Sequence, residues 1–343
     1  MTGHRPAHPA RVELLGWVEH GGEVLTPDDI AAVIGEDPAR VAGFGGEFRL
    51  AWDGCTATDE MGVLGIPGDQ GVITCGGEVV GQVRPDAPPL DLETAIRTAV
   101  GLRATEGAVG LSGGVDSALI ACLAGLPCVT VGMAGSQDLE KGEGAARALG
   151  LRWEGVTVTE DGLGEALRQV VAAIPDPTPL DTAIAAGLFF VARWAGERGH
   201  RRVLLGQGAD ELFGGYARYR TAADVPAMLA RDFASLRRQA LRDQAVARLH
   251  GTCFSLPYLD HRVVRAARAI PPGTLLSAGT GKVPLREVAA RLLPQGIAGA
   301  PKKAMQYGSG IAGAIRVLAR ENGYKRSVQR YLTHLSGERH GLA

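Results

Sequence analysis

One stretch decides the fold: residues Gly107 to Ser117, with the sequence GAVGLSGGVDS. Its first five residues form a short apolar run that predicts a buried strand, and residues 118–124 have the pattern of a helix. The residues between them predict a glycine turn that leads into a helix N-terminus. The free N–H groups and the positive dipole end of a helix N-terminus attract phosphate. The stretch therefore predicts an anion-binding loop.

The side chains of this loop are suited to a nucleotide. Gly113 and Gly114 let the backbone approach a phosphate without Cβ atoms in the way. Ser112 and Ser117 add hydroxyl donors, and Asp116 is a carboxylate placed where a phosphate-bound magnesium would need one. The loop is not a Walker A motif, because no Gly-Lys-Ser/Thr follows the glycines. The alternative is an ordinary glycine-rich turn from strand to helix.

After this loop, strand and helix patterns alternate, which predicts a parallel α/β sheet. The next predicted strands cover residues 128–133, 152–158 and 202–205. The predicted helices cover residues 139–149, 162–174 and 181–199. From Ala222 onward the sequence predicts mostly helix.

The chain before the loop has a different pattern, mainly of short strands. The predicted strands cover residues 12–17, 46–52, 56–64, 71–75 and 78–83. One helix over 27–34 interrupts them, capped by Thr26 and stopped by Gly35. Residues 84–89 are proline-rich, which is typical of a linker. We therefore expect a small β domain over 1–89 and an α/β domain with a helical C-terminal part over 90–343.

Composition excludes several classes of protein. The 343 residues suffice for two domains, and 36 basic against 37 acidic residues give no field that would attract nucleic acid or a membrane. No apolar run reaches transmembrane length, and no signal peptide is visible. We expect a cytoplasmic protein with reduced, buried thiols, because no CxxC pair occurs among its five cysteines: Cys55, Cys75, Cys122, Cys128 and Cys253.

A second motif lies between Gly206 and Tyr216, with the sequence GQGADELFGGY. Like the first, it follows a predicted strand, so both motifs should meet at the carboxyl edge of one parallel sheet. Together they resemble the synthetase domain of the asparagine synthetase family, whose second signature normally reads SGEGADEIFGGY. The resemblance covers about residues 95–315. It continues at Arg242-Asp243 and in three segments: 254–260 (FSLPYLD), 281–286 (GKVPLR) and 301–310 (PKKAMQYGSG).

The resemblance implies an ATP pyrophosphatase fold (adenine nucleotide α-hydrolase-like), with ATP and Mg²⁺ as cofactors. Asp116 and Asp210 would share the magnesium on the pyrophosphate. The implied ATP-binding residues are Leu111, Ser112, Gly113, Gly114, Val115, Asp116, Ser117, Val131, Gly132, Met133, Leu205, Gly206 and Lys282. The implied catalytic residues are Gln207, Asp210, Lys302 and Lys303. A pocket-edge acid of the family corresponds to Asp138, which could equally be a helix N-cap.

The catalytic positions carry one departure and one ambiguity. The family's GEGADE glutamate helps to position the attacking amine, and this chain has Gln207 there. Glutamine can hydrogen-bond but cannot take a proton. The family lysine that stabilises the adenylation transition state corresponds to Lys302 or Lys303, and the register leaves both open. The alternative for this pair is a solvated basic patch.

The N-terminal region departs from glutamine-dependent members, which begin with a catalytic cysteine. Residue 2 is Thr2, and the first cysteine is Cys55. Residues 44–48 and 57–60 resemble remnants of the family's GEFA…RD strands. We expect a shortened glutaminase-like domain that does not hydrolyse glutamine itself; the alternative is an N-terminal threonine nucleophile. Nitrogen would then come from ammonia or from a partner glutaminase.

The resemblance thus implies an AMP-forming ligase that adenylates a small-molecule acid, aspartate by resemblance, and converts it to an amide. It leaves a homodimer open. Two alternatives remain. One is an adenylating enzyme with a different acid or amine acceptor, and the other is a nucleotide-binding protein without amide synthesis.

Overall fold

A computed structural model of the chain describes residues 11–86, 88–277, 280–298 and 308–337. The N-terminal part forms a six-stranded antiparallel sheet with the order β2-β1-β3-β4-β5-β6. Its strands are β1 (Val12–His20), β2 (Glu23–Leu25), β3 (Gly45–Trp52), β4 (Cys55–Thr58), β5 (Val72–Cys75) and β6 (Glu78–Gln82).

One face of this sheet is covered by helix α1 (Pro27–Glu36), which begins with a capping box between Thr26 and Asp29. Ile30 from the helix packs with Phe48 and Leu50 of the sheet in a small apolar core. The strand predicted over 56–64 ends at Thr58, because the carboxylate of Asp59 accepts the N–H groups of its own turn. The strand β2 was not predicted; it has three residues, too few for a periodic signal.

The structure corrects the prediction of reduced thiols. Cys55 on β4 lies opposite Cys75 on β5 in the antiparallel register, and the two form a disulfide with Cα atoms 4.0 Å apart. The remaining three cysteines are free thiols, and burial raises the pKa of Cys128 to about 12. The sequence contained no sign of the pairing, because the register of two short strands brings the cysteines together.

The second sheet is parallel and five-stranded, with the order β11-β10-β7-β8-β9. The prediction of a parallel α/β fold is confirmed. Its strands are β7 (Ala108–Gly110), β8 (Cys128–Met133), β9 (Trp153–Val158), β10 (Arg202–Leu204) and β11 (Cys253–Ser255). The prediction of a mostly helical chain beyond Ala222 is wrong at β11, which supplies an edge of this sheet, and at a two-stranded ribbon, β12 (Leu276–Ser277) and β13 (Thr280–Gly281).

Helices cover both faces of the parallel sheet, so β7, β8, β10 and β11 are mostly buried, whereas the edge strand β9 is largely exposed. The helices are α2 (Leu92–Gly101), α3 (Val115–Ala124), α4 (Gln137–Leu149), α5 (Glu160–Ala173), α6 (Pro179–Glu197), α7 (Ala209–Phe213), α8 (Val225–Ala234), α9 (Leu236–Arg248), α10 (His261–Arg268), α11 (Val283–Leu292), α12 (Gln295–Ala298), α13 (Ile311–Glu321) and α14 (Val328–Gly337). Short 3₁₀ helices cover Pro38–Gly43, Ala217–Thr221, Pro257–Leu259 and Pro272–Thr274.

The strand order places a topological switch point between β7 and β10. The chain runs from β7 to β8 and β9 on one side of the sheet, and then returns to β10 and β11 on the other. In parallel α/β sheets, ligands bind outside the carboxyl ends of the strands at such a point. The two sequence motifs are the loops that leave β7 and β10, so both lie at this crevice.

A buried ionic network joins the two sheets. Arg103, which follows α2, donates to the carboxylates of Glu47 on β3 and of Asp260 before α10, at 2.9 Å each. Arg262 binds Asp260 as well, and it reaches Glu19 on β1 at 2.7 Å. All five side chains are at most 7% exposed. The N-terminal sheet is therefore fixed to the α/β part by charge as well as by apolar packing; the division into domains at residue 89 stays a prediction.

Across the part of the chain that the structure describes, no helix combines the length and the apolarity needed to cross a membrane.

Candidate functional site

The glycine loop after β7 is built as a cradle at a helix N-terminus. Helix α3 begins at Val115, three residues before the predicted start, so Asp116 lies in its first turn. Its N-cap is Gly114, which has no side chain to cap the first-turn N–H groups. Ser117 Oγ accepts the N–H of Ser112 at 3.2 Å and donates to the carbonyl of Gly114, also at 3.2 Å. The loop is therefore held in shape by its own two serines.

Gly113 is required by packing as well as by conformation. Its φ is +72°, and a Cβ at this position would overlap the backbone of Lys141 on α4. The helix α4 thus closes directly onto the loop, and a side chain there would force the two apart.

The second loop brings Asp210 to the same place. Gly206, after β10, lies against Asp116, where a Cβ would stand 3.0 Å from the Cβ of Asp116. The following Gly208 has φ +92° and starts α7, which carries Asp210 in its first turn. Tyr258 donates its hydroxyl to the carbonyl of Asp116 at 3.0 Å and so links the loop to the segment before α10.

Lys282 joins the two acidic residues. Its ammonium Nζ lies 2.5 Å from Asp116 Oδ2 and 2.7 Å from Asp210 Oδ1. The lysine side chain is 3% exposed, against 14% for Asp116 and 16% for Asp210. One compact cation thus contacts a carboxylate from each loop. The acidic residues of the two sequence motifs therefore form a single cluster with Lys282.

The backbone around Lys282 is adapted to this position. Lys282 has φ +61°, in the left-handed region that non-glycine residues rarely adopt, and its N–H donates to the carbonyl of Phe213 at 3.0 Å. Gly215 lies beside it, where a Cβ would overlap both Asp210 Oδ1 and Lys282 Cε. Such conformations persist where the surrounding contacts fix them, and they concentrate at functional sites.

Burial lowers the pKa of Lys282, and the adjacent carboxylate of Asp116 opposes that shift by stabilising the ammonium form. The carboxylate of Glu211, next to Asp210 in sequence, acts in the same direction from farther away. Lys282 is therefore a buried cation whose charge depends on its acidic neighbours.

The donor set fits the magnesium ion that the resemblance implies. Asp116 and Asp210 are hard oxygen ligands that already converge on one cation, the ammonium of Lys282. Magnesium in nucleotide sites is commonly held by one or two carboxylates together with substrate phosphates and water. Asp116 and Asp210 are thus the residues that would hold it. Within the described ranges, no cluster of three or more His, Cys, Asp or Glu side chains suited to a metal occurs.

A pocket lies beside the cradle at the carboxyl ends of β7 and β8. It encloses about 430 Å³ of empty space, part of it open to solvent. Four predicted ATP-binding residues line it: Leu111, Ser112, Val131 and Leu205. Gly187, Leu188 and Val191 of α6 form the opposite wall. The apolar walls and the adjoining anion cradle match the two halves of a nucleotide.

The remaining predicted residues of β8 support this pocket from behind. Gly132 packs against Ser136, and Met133 donates its N–H to the carbonyl of Ser309 at 2.8 Å. Ser309 itself lines the pocket. Gly132 and Met133 thus pack behind the pocket through their backbone, while Val131 forms part of its wall.

Asp138 also lines the pocket, in the first turn of α4. It is 6% exposed, its Oδ2 has no hydrogen-bond partner among the described residues, and burial raises its pKa to about 6. It does not act as the N-cap considered above, because Ser136 occupies that position. A buried carboxyl oxygen that faces a pocket can accept a hydrogen bond from a bound ligand.

Gln207 takes part in a chain of polar side chains. Its Nε2 donates to Gln239 Oε1 on α9 at 3.1 Å. The Nε2 of Gln239 lies 3.4 Å from Glu211 Oε1, to which Tyr216 donates its hydroxyl at 2.6 Å. Glu211 is buried, with 3% exposure. Sequence reasoning missed the roles of Gln239 and Glu211, because the sequence does not show that α9 packs beside the second loop.

The predicted catalytic lysines Lys302 and Lys303, and Thr2, lie outside the described residues. The structure therefore brings together the loop 111–117, Gly206, Asp210 and Lys282, with Gln207 on the same loop as Asp210. The assignment of individual roles to these residues stays a prediction.

Comparison with known proteins finds similar sequences. The sequence matches the family model described as asparagine synthase over residues 91–244 and 221–334. A Methanocaldococcus jannaschii relative with the provisional name asparagine synthetase [glutamine-hydrolyzing] 1 is 32% identical over 268 residues, which are 65% of this chain and 50% of the relative. Asparagine synthetase [glutamine-hydrolyzing] 3 of Arabidopsis thaliana is 28% identical over 182 residues, 47% of this chain and 31% of that protein. The chain thus spans about half the length of the first relative, or less for the second.

Among solved structures, an NMN synthetase from Francisella tularensis aligns with 75% of this chain and 96% of its own, with a TM-score of 0.36 and 15% identity.

Proposed function

The chain belongs to the asparagine synthase family, and on that premise we propose that it is an ATP-dependent, AMP-forming ligase that converts a carboxylic acid to an amide. The observation that carries the proposal is the convergence of Asp116 and Asp210 on Lys282, at the switch point of a parallel sheet and beside a pocket. A nucleotide in that pocket would direct its phosphates at the first turn of α3.

The protein groups divide the work of adenylation. The N–H groups of the loop 112–117 and the hydroxyl of Ser112 bind the leaving pyrophosphate, while Ser117 holds the loop in shape. Lys282 supplies a fixed positive charge beside it, in a setting where little water screens the charge. Asp116 and Asp210 would hold magnesium, which would neutralise part of the negative charge on the phosphates. The acid substrate attacks the α-phosphate, and the amine then displaces AMP.

We propose aspartate as the acid and free ammonia, or ammonia from a partner glutaminase, as the nitrogen source. The choice of aspartate follows the names of the relatives, and the choice of nitrogen source keeps the expectation stated above that the N-terminal domain does not hydrolyse glutamine. We further propose that Lys302 or Lys303 completes the cationic site for adenylation.

The test is pyrophosphate release from ATP, magnesium and aspartate, with ammonia present. Asp116→Asn and Asp210→Asn should each reduce pyrophosphate release by about 10²-fold or more, because each removes a negative charge that would hold the metal, and the metal binds the phosphates. The matched control is Asp161→Asn on the exposed side of α5, which should leave the rate unchanged. Circular dichroism and the melting temperature should show that both site variants are folded.

Wild-type-like pyrophosphate release by either folded variant would refute the assignment of the site. Glutamate release from glutamine by the isolated chain, lost in Thr2→Ala, would refute the proposed nitrogen source and support the N-terminal threonine instead.

A second candidate is an adenylating enzyme with another acid or amine. Gln207 favours it, because a neutral amide replaces the carboxylate that helps to position ammonia in the family. A screen of acids and amines distinguishes the two: pyrophosphate release that responds to a different acid, and not to aspartate, selects the second candidate.

A further inference from the structure

We propose that Gln239 is a positioning residue for the amide-forming step: it fixes the side-chain amide of Gln207 so that the carbonyl oxygen, rather than the NH₂ group, faces the attacking amine. The proposal deepens the function proposed above and rests on it. It concerns a residue of α9, far from both nucleotide motifs in the sequence.

Glu211 determines the donor-to-acceptor direction of the hydrogen bonds among Gln207, Gln239 and Glu211. A buried carboxylate that receives the hydroxyl of Tyr216 only accepts hydrogen bonds, so Gln239 presents Nε2 to it. Ser235 Oγ donates to the carbonyl of Asp232 and therefore also accepts from this Nε2, at 3.3 Å. The Oε1 of Gln239 then points the other way, toward Gln207.

As a result, the side-chain amide of Gln207 has one fixed orientation. Because Gln239 offers an acceptor oxygen, Gln207 turns its Nε2 toward α9, with the two atoms 3.1 Å apart. The Oε1 of Gln207 is left on the side of the amide that faces away from α9. Glu211, through its acceptor oxygen Oε1, thus sets the orientation of two successive amides.

A fixed carbonyl oxygen at this place suits an uncharged amine. It accepts one N–H of the amine and so directs the nitrogen lone pair at the adenylated carboxyl carbon. The new N–C bond forms, the C–O bond to AMP breaks with its electron pair on AMP, and the extra proton of nitrogen leaves to water. Gln207 orients the nucleophile in this step and takes no proton.

The same chain accounts for glutamine at position 207. A carboxylate there would place oxygen against Gln239 Oε1, and turning the Gln239 amide would place its oxygen against Glu211 instead. We therefore expect Gln207→Glu to weaken amide formation, because Gln239 cannot donate to the new carboxylate without turning its own oxygen toward Glu211.

The kinetic test uses Gln239→Leu, which keeps the side-chain size and removes both amide atoms. The KM for ammonia should rise about tenfold, as expected for the loss of one oriented hydrogen bond, while ATP–pyrophosphate exchange with aspartate stays within about twofold of wild type. In a double-mutant cycle, Gln239→Leu should have no further effect in the Gln207→Ala background. The matched control is Gln329→Leu on α14, which removes an exposed side-chain hydrogen bond to the carbonyl of Pro177.

A second readout does not depend on turnover. The side-chain ¹⁵NH₂ signal of Gln207, identified by its loss in Gln207→Ala, should have one slowly exchanging proton that becomes fast in Gln239→Leu and remains slow in Gln329→Leu.

The outcomes separate the two proposals. Amide formation by wild type with equal KM values for Gln239→Leu and Gln329→Leu would overturn the positioning role. Unchanged exchange of the Gln207 amide in Gln239→Leu would overturn the polar chain itself. If wild type forms no amide from any acid and amine, the proposed function fails, and the positioning role fails with it, whatever the exchange data show about the chain.

Discussion

Two buried groups of charge, the ionic network between the sheets and the Lys282 cluster at the carboxyl edge, differ in their cations and in their access to water. The network uses arginines whose forked guanidinium groups bind two carboxylates each, and its side chains are at most 7% exposed. The cluster uses one lysine, and its carboxylates are 14% and 16% exposed. Arginine fixes geometry, whereas lysine is a compact point charge that another cation can replace.

The network and the cluster also differ in the hydrogen-bond donors around their carboxylates. Glu47 receives the N–H of Leu256 and the hydroxyl of Ser255 in addition to Arg103. Burial would raise the pKa of Glu47, but the Arg103 charge and these donors outweigh it and hold the pKa below its ordinary value. The network is therefore closed and structural, while the site cluster is open on the side where a ligand would enter.

The largest effect should come from breaking the network. Arg103→Leu leaves the Glu47 and Asp260 carboxylates buried without their shared cation, which should lower the free energy of unfolding by about 4 kcal/mol. The matched control is Arg97→Leu on α2, whose exposed pair with Glu93 should contribute less than about 1 kcal/mol. Urea unfolding measures both, and equal losses in the two variants would show that the network is not structural.

A smaller effect should come from the site. Lys282→Met should cost about 2 kcal/mol of stability, less than Arg103→Leu because water reaches both carboxylates. Added Mg²⁺ should raise the melting temperature of Lys282→Met more than that of wild type, because the ammonium no longer competes for the carboxylates. Lys325→Met, at an exposed position, is the control. An identical response of all three proteins to Mg²⁺ would show that Lys282 does not share a cation site.

The smallest effect concerns pH. Burial raises the pKa of Asp138 from 3.8 to about 6, so its protonated form is favoured in the folded state. The nucleotide-free protein should therefore lose stability as pH rises from about 4 to about 6, by roughly 1 kcal/mol since the pocket is open to water on one side. Asp138→Asn should remove this part of the slope, whereas Asp161→Asn should keep it. Denaturant unfolding at a series of pH values decides, and an unchanged slope in Asp138→Asn would contradict the raised pKa.

The two regions were also unequally predictable from sequence. Glycines, a capping pattern and an apolar run are local signals, so the glycine turn at 112–114, the start of α1 and the strand β8 were predicted closely. The interface network was not predicted, because Glu47, Arg103 and Asp260 look like ordinary surface charges until the chain folds.

Other differences have the same cause. The strand β11 has three residues and takes its identity from pairing with β10. The Cys55–Cys75 disulfide depends on the register of β4 and β5. Even Lys282, which the resemblance placed among the ATP-binding residues, has an unpredicted position as the bridge between the two acidic loops. Local patterns determined the elements, and long-range packing determined their chemistry.

The ion pair between Glu19 and Arg262 joins residues 243 positions apart. During synthesis the ribosome releases β1 long before it translates α10, so Glu19 cannot meet Arg262 until about three quarters of these 343 residues have been made. Until then the carboxylate of Glu19 lacks this cation. A translational pause before residue 262 would thus prolong the time for which the N-terminal sheet lacks this ionic contact with the α/β part.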